Sequence, residues 1–271
     1  YLQKRANEYE EVSRRRKATP CYAFIDVNEN EIYLNEIERV NLSSKQRTFI
    51  FPDSSFIKLL KNRDIIFSGW LMSGKLITHN IQSEFDYDEF KVSIDSTNEA
   101  YLSIAPLNPR DGRGPIDMMS SFNDFKGQLY IDVKDSKSGR SNENSEYPYI
   151  EVKDSLKIFY SSKNIVNGSY DSTRFYYSLN PFVLDSLDDF NESALRMNGA
   201  LKSDGIFPDL EEPLKIMNDY SFGFVTQAPP EGYPFYQTES KYQNKIVLSN
   251  NGLQGSGTID FMNAVAISKK L

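Results

Sequence analysis

The sequence predicts a mainly β chain. The expected architecture is an extended or solenoid-like β-sheet with insertions, with a β-sandwich as the alternative, preceded by a short N-terminal helix. Three observations lead there. The clearest β region lies between residues 64 and 104, with a clean period of two at Phe90, Val92 and Ile94. An apolar-x-Gly-x-apolar signature recurs along the chain. No segment has the long, capped 3.6-residue period of a helical bundle or the alternating strand and helix units of a doubly wound sheet. The 271 residues suffice for one large domain or two ordinary ones. The 39% share of hydrophobic residues is low, but 18 Phe and 17 Tyr supply bulk for a core.

In chain order, residues 1–20 are expected to form a charged helix or linker. Glu10–Arg14 and Glu11–Arg15 are favourable i,i+4 pairs, Leu2, Ala6, Tyr9 and Val12 make a thin stripe, and Thr19-Pro20 ends it. The first β-rich unit spans 21–104. It holds short apolar runs from Tyr22 to Ile37 and a strand closing at Phe49-Ile50-Phe51-Pro52-Asp53. A helical turn or two is expected between Ser55 and Asn62, from Phe56, Ile57, Leu59 and Leu60. Strands follow at Ile66–Leu71 and Lys75–Thr78, joined by the turn signal Ser73-Gly74, then around Phe85, at Phe90–Ile94 and at Tyr101–Ile104. Residues 105–121 are a Pro/Gly loop and the internal boundary. The second β-rich unit, 122–271, is expected to pack on the first. Its strands are Leu129–Val133, Leu156–Tyr160, Phe175–Leu179, Phe182–Leu184, Ile246–Leu248 and Thr258–Phe261. Asp135–Tyr147 reads as a polar mobile loop, Asp185–Leu195 as holding a short helix, and 228–236 as a Pro- and aromatic-rich loop.

The glycine signature appears around Gly69, Gly127, Gly168 and Gly199, with a looser copy at Gly255. A Gly within a strand permits a bulge or the close approach of another segment. A second echo pairs Tyr87-Asp88 before Phe90 with Tyr170-Asp171 before Phe175. The irregular spacing points to degenerate repeats on an extended sheet rather than a strict solenoid.

Composition excludes several functions. A net charge of −7 gives no whole-molecule attraction for phosphate backbones, so no nucleic-acid partner is expected. The single Cys21 rules out an internal disulfide and multi-Cys zinc sites, and the single His79 rules out sites needing several imidazoles. No run approaches the 20 or so apolar residues of a membrane span, so no transmembrane segment is expected and the chain reads as soluble. The opening Tyr-Leu-Gln-Lys has neither initiator Met nor apolar leader, which suggests a piece of a longer protein.

No motif dictates a reaction, and no catalytic residue, metal site or cofactor is assigned. His79 lacks a nucleophile elbow nearby in sequence, and Cys21 reads as a small buried hydrophobe. Asp26–Glu31 begins like a calcium loop, but Glu31 stands where the loop needs Gly and Ile37 where it needs Glu. A looser oxygen cluster at Asp86, Asp88 and Glu89 reads first as a solvated acidic turn. Paired carboxylates such as Asp188-Asp189 are sequence neighbours, which point to opposite faces of a strand and do not face each other across a substrate. The richest resource is aromatic. Tyr233, Phe235 and Tyr236 in the Pro-rich loop are the candidate ligand-binding residues, and Tyr147 and Tyr149 flank Pro148.

Several segments together carry a family resemblance. They are Phe67-Ser-Gly-Trp-Leu-Met-Ser-Gly-Lys-Leu76, Phe85-Asp-Tyr-Asp-Glu-Phe-Lys91, Asp185-Ser-Leu-Asp-Asp-Phe190, Leu201-Lys-Ser-Asp-Gly-Ile-Phe-Pro208, Asp219-Tyr-Ser-Phe-Gly-Phe224, Pro229-Pro-Glu-Gly-Tyr-Pro234 and Leu248-Ser-Asn-Asn-Gly-Leu-Gln-Gly255. Over roughly residues 48–262 the chain resembles an internal portion of large β-rich envelope proteins of Bacteroidota. The glycine rhythm is also similar to AsmA-like and TamB-like β-sheet proteins that shelter lipid. The resemblance implies a non-catalytic structural or interaction segment, located in the periplasm or at the cell surface, with other envelope proteins as partners. Carbohydrate binding or processing and a lipid-sheltering groove are the alternatives, with glycan or lipid as ligand. Asp-Ser followed by Thr or an apolar residue is similar to the O-glycan acceptor pattern of such proteins, which makes Ser96, Ser155, Ser172 and Ser186 candidate O-glycosylation sites. The bland reading of the same pattern is Asp-Ser turn initiation.

Overall fold

The computed structural model describes residues 22–108, 114–137, 146–160, 170–262 and 264–269. The expected N-terminal helix, Cys21 and Gly168 lie outside them. The described chain is mainly β, as the alternation predicts: twenty strands and one 3-10 turn, Lys134–Ser136. They form three antiparallel sheets. No helix among the described residues is long and apolar enough to cross a membrane. The chain divides into two compact units, Tyr1–Asp117 with Lys126–Glu151 and Leu184–Asp189, and Met118–Phe125 with Val152–Val183 and Phe190–Leu271.

The first unit is built from β1 (Tyr22–Asp26), β2 (Glu31–Asn35), β3 (Val40–Ser43), β4 (Thr48–Leu59), β5 (Ile65–Ser73), β6 (Leu76–Asp86), β7 (Lys91–Ile104), β8 (Ile116–Asp117), β9 (Gly127–Tyr130) and β10 (Tyr149–Val152). Their order is β1-β2-β4-β5-β6-β7-β9-β10 with β3 beside β4 and β8 beside β7, and β4 to β7 form a meander in which sequence neighbours pair. The middle of this sheet is buried on both faces. Ile50, Leu71, Thr78 and Ala100 stand in register across four strands on one face, and Phe49, Met72, Ile77 and Tyr101 on the other. Phe49, Met72 and Ile77 centre one apolar cluster, flanked by Trp70 and Tyr101. Double burial explains why Ile65-Ile66-Phe67 and Leu71-Met72 are continuous apolar runs and do not alternate.

Two departures from sequence expectation have local causes. Ser55–Leu59 is strand, not helix: Ser54 and Ser55 adopt left-handed φ of 52° and 54°, and the resulting bulge lets Ile57–Leu59 resume pairing with Ile65–Phe67. The bulge interrupts the period of two, so the apolar spacing imitates a helix. Residues 185–195 form turns, not helix, because the loop is tied by Ser186 N–H to the Glu146 carbonyl and Leu187 N–H to the Pro148 carbonyl, both 2.8 Å. Three register shifts between His79 and Ser83 on β6 break the pairing with β7. One of them turns Ile81 outward, where it is 51% exposed.

The second unit holds β11 (Leu156–Phe159), β12 (Phe175–Leu179), β13 (Phe182–Leu184), β14 (Gly199–Ser203), β15 (Lys215–Ile216), β16 (Phe222–Gln227), β17 (Tyr233–Pro234), β18 (Lys241–Ser249), β19 (Gly252–Phe261) and β20 (Ala264–Ser268). One sheet runs β11-β12-β14 and another β15-β16-β18-β19-β20, with β17 on β18. Phe122 packs at 5.8 Å from Phe125, 6.1 Å from Phe182 and 5.3 Å from Phe222, an aromatic core. The two aspartates of the Tyr-Asp echo play different parts. Asp171 Oδ1 accepts the Thr173 N–H in the turn before the buried Phe175, whereas before Phe90 it is Asp86 whose Oδ1 accepts the Glu89 N–H, and Asp88 meets Arg63 and Lys137.

Candidate functional site

The loop flagged by its aromatics borders an apolar concavity of the second unit. Tyr233 and Pro234 pair with Tyr242 and Lys241 of β18. Beyond them Phe235 N–H bonds the Ser240 carbonyl at 3.0 Å, and Tyr236 N–H bonds the Ile206 carbonyl at 3.0 Å. Tyr236 and Gln237 take left-handed φ of 53° and 56°, a conformation non-glycine residues adopt sparingly. That strained turn leaves the Tyr236 ring 58% exposed while its backbone is tied down.

Phe207 is the hub. Its ring lies 6.1 Å from Tyr233, 5.6 Å from Phe235 and 5.3 Å from Tyr242. Phe235 in turn meets Tyr236 edge-on at 4.5 Å. Position 207 is clamped by Ser203, whose hydroxyl accepts the Phe207 N–H at 2.8 Å and donates to its carbonyl at 2.9 Å. The rings of Phe207, Phe235, Tyr236 and Tyr242, with Tyr170, Ile246, Leu253 and Ile259, line an apolar pocket of about 260 Å³, while Tyr233 packs on Phe207 without lining it. Its floor needs Gly255, because a Cβ there would meet the Tyr242 ring at 2.9 Å. The Tyr242 hydroxyl is spent on the Lys245 carbonyl at 2.6 Å, and that of Tyr170 accepts the Leu253 N–H at 3.0 Å. Burial, reinforced by Glu212 at Tyr233, pushes the phenols of Tyr233 and Tyr242 up, so both stay neutral across the physiological range.

Phe207 also borders a polar hollow of about 460 Å³ lined by Arg174, Lys202, Asp204, Asp209 and Gln237. Its charges are matched. Arg174 pairs with Asp204 at 2.5 Å, and Lys202 pairs with Asp209, whose carboxylate holds the ammonium above its usual range. The result is an aromatic wall beside a neutral array of fixed donors and acceptors.

Sequence reasoning found Tyr233, Phe235 and Tyr236 and missed Phe207, Tyr242, Tyr170 and the two ion pairs. They meet the loop because residues 204–206 dock against 235–237 through the Tyr236 N–H to Ile206 carbonyl bond, a tertiary event with no local signal. His79 lies apart, in the first unit. Its Nδ1 accepts from Asn98 Nδ2 at 3.3 Å, its Nε2 meets Asp53 Oδ2 at 3.1 Å, and its ring stacks on Trp70 at 4.7 Å. Both ring nitrogens are thus engaged by a carboxylate and an amide, and the role is that of a cross-strand structural residue. Asp88 of the acidic turn is met by Arg63 and Lys137, each at 3.7 Å. No group of three or more potential metal ligands occurs among the described residues. Of the candidate glycosylation serines, Ser155 is exposed between β10 and β11, while Ser96 on β7, Ser172 and Ser186 are half-buried. No family model matches this chain, nor does any curated protein or any solved structure.

Proposed function

We propose that this chain is a non-catalytic binding segment of a large extracytoplasmic envelope protein, and that its second unit takes a neutral carbohydrate. The observation that carries the carbohydrate reading is the exposed Tyr236 ring at the mouth of an aromatic pocket beside a hollow whose ion pairs, Arg174–Asp204 and Lys202–Asp209, are internally neutralised. A pyranose ring offers an apolar C–H face to an aromatic and a rim of hydroxyls to fixed donors and acceptors. An anionic ligand gains little from cations already paired. An acyl chain calls for a continuous dry groove, and here four charged side chains adjoin the pocket. The envelope location rests on the sequence resemblance and the Asp-Ser pattern.

The test is calorimetric titration of the intact chain with a panel of neutral oligosaccharides. Tyr236→Ala is expected to weaken the best binder by about tenfold, the order of a lost aromatic contact. Stability should change by less than about 0.5 kcal/mol, because the ring is exposed. Equal affinity of wild type and variant, or no binding across the panel, would remove the carbohydrate reading.

A further inference from the structure

The first unit carries an aromatic hollow that is negative where the second unit's is neutral. Tyr130 ends β9 and Tyr149 begins β10, and the two are direct cross-strand partners. Their rings stack at 4.6 Å and 16°. Tyr147, two residues earlier, leans on Tyr149 at 5.1 Å and 58°. The three rings wall a hollow of about 370 Å³ whose remaining lining includes Glu89, Asp132, Asp135 and Lys134. Asp132 is 3% exposed and already occupied: it accepts from Gln46 Nε2 at 3.3 Å and from Val133 N–H at 2.8 Å. Glu89 and Asp135 are exposed, and neither carboxylate has an ion-pair or hydrogen-bond partner among the described residues. Three carboxylates against the one lining ammonium leave the hollow negative.

The phenols of Tyr147 and Tyr149 remain neutral. Burial, with Tyr147 beside it, pushes Tyr149 up to about 12, and burial raises Tyr147 as well. A neutral phenol presents a negative π-face to a cation. The same unit shows the chemistry in its own chain: Arg63 and Lys137 sit 4.2 Å and 4.3 Å from the Tyr87 ring, and both also meet the Asp88 carboxylate.

We propose that the Tyr130–Tyr147–Tyr149 hollow docks an arginine side chain of a partner polypeptide, with the guanidinium lying on a phenol ring and its N–H groups directed to Glu89 and Asp135. Arginine is favoured over a quaternary ammonium because free carboxylates call for N–H donors, which a quaternary ammonium lacks. It is favoured over lysine because a planar guanidinium offers a face to the ring and an edge to the carboxylates at once. The hollow is distinct from the pocket assigned to carbohydrate, and the two readings stand or fall separately.

The experiment titrates the whole chain with acetyl-Gly-Arg-Gly-amide and with the same peptide carrying citrulline, the uncharged isostere, while following the tyrosine ring resonances by NMR. The arginine peptide is expected to shift them, with the citrulline peptide binding about tenfold more weakly. Raised salt should narrow that gap. The double variant Glu89→Gln, Asp135→Asn, at two exposed positions, is expected to lose most of the discrimination with an unchanged circular dichroism spectrum. Tyr149→Ala should abolish the shifts, and the charge variant decides if that replacement disturbs β10. Equal binding of arginine and citrulline, stronger binding of choline, or unmoved ring resonances would overturn the proposal.

Discussion

Replacing Gly69 with Val is expected to lower the melting temperature of the first unit by about 10 °C. Gly69 sits inside β5 at φ +130°, a conformation that side chains strongly disfavour. A Cβ there would stand 2.6 Å from Asp53 N and 2.9 Å from Pro52 Cα, with the Phe51 carbonyl nearer still. All three are backbone atoms of β4, the paired strand, so no rotamer change relieves the clash. The β4 backbone lies this close because Pro52 pairs with Gly69 just where the β4 register shifts. Backbone strain and overpacking together cost about 3–5 kcal/mol. At about 2–4 °C per kcal/mol for a unit of this size, that gives the expected shift. Gly114→Val is the control, because a Cβ there would touch nothing within 4 Å. A scan in which both variants melt like the wild type would show that the close approach of β4 and β5 carries no energy.

Raising the pH above about 10 is expected to unfold the second unit cooperatively. Tyr160 and Tyr177 are fully buried. Their hydroxyls donate to the Phe222 carbonyl at 2.9 Å and the Glu212 carbonyl at 2.7 Å. Burial pushes both phenols far above their ordinary value, with Tyr177 and Asp219 adding at Tyr160 and Glu212 adding at Tyr177. The unfolded chain ionises its tyrosines near pH 10, and the folded chain holds these two protonated. Between those limits the unfolded state binds fewer protons, so the stabilisation is complete below pH 10 and falls as pH rises. Each phenol contributes about 1.4 kcal/mol per pH unit, about 3 kcal/mol for the pair. Tyr160→Phe should lose about 1 kcal/mol at neutral pH with its hydrogen bond, yet move the alkaline midpoint upward. Phenolate absorbance and near-ultraviolet circular dichroism report the two events. Ionisation of every tyrosine near pH 10 with the fold intact would contradict the burial argument.

How far the sequence discloses this molecule depends on the range over which each feature is encoded. The strands between residues 64 and 104 are legible because each pairs with its sequence neighbour, and alternation and turn signals are local. The extension of β4 to Leu59 is not, because the bulge at Ser54 and Ser55 breaks the period that reveals a strand. The pairing of β9 with β7 and of β10 with β9 joins segments separated by polar loops that carry no register information. The same division runs through the site. Tyr233, Phe235 and Tyr236 stand out by their density around proline. Phe207 and Tyr242 become their neighbours only through the Tyr236–Ile206 bond and the β17–β18 register. The ion pairs of the adjoining hollow were equally invisible: Arg174 and Asp204 are thirty residues apart and meet because β12 and β14 are adjacent strands.

The two units are interleaved along the chain: the polypeptide passes between them at 117/118, 125/126, 151/152, 183/184 and 189/190. This has a consequence for synthesis and for genetics. During translation the first unit is incomplete until Leu184–Asp189 has left the ribosome, although most of its sheet was made long before. A stop codon anywhere between residues 118 and 183 therefore removes material from both units, and no single cut yields either one whole. Exchange of one unit between related genes would require several simultaneous crossovers, so the pair is expected to be inherited as one piece.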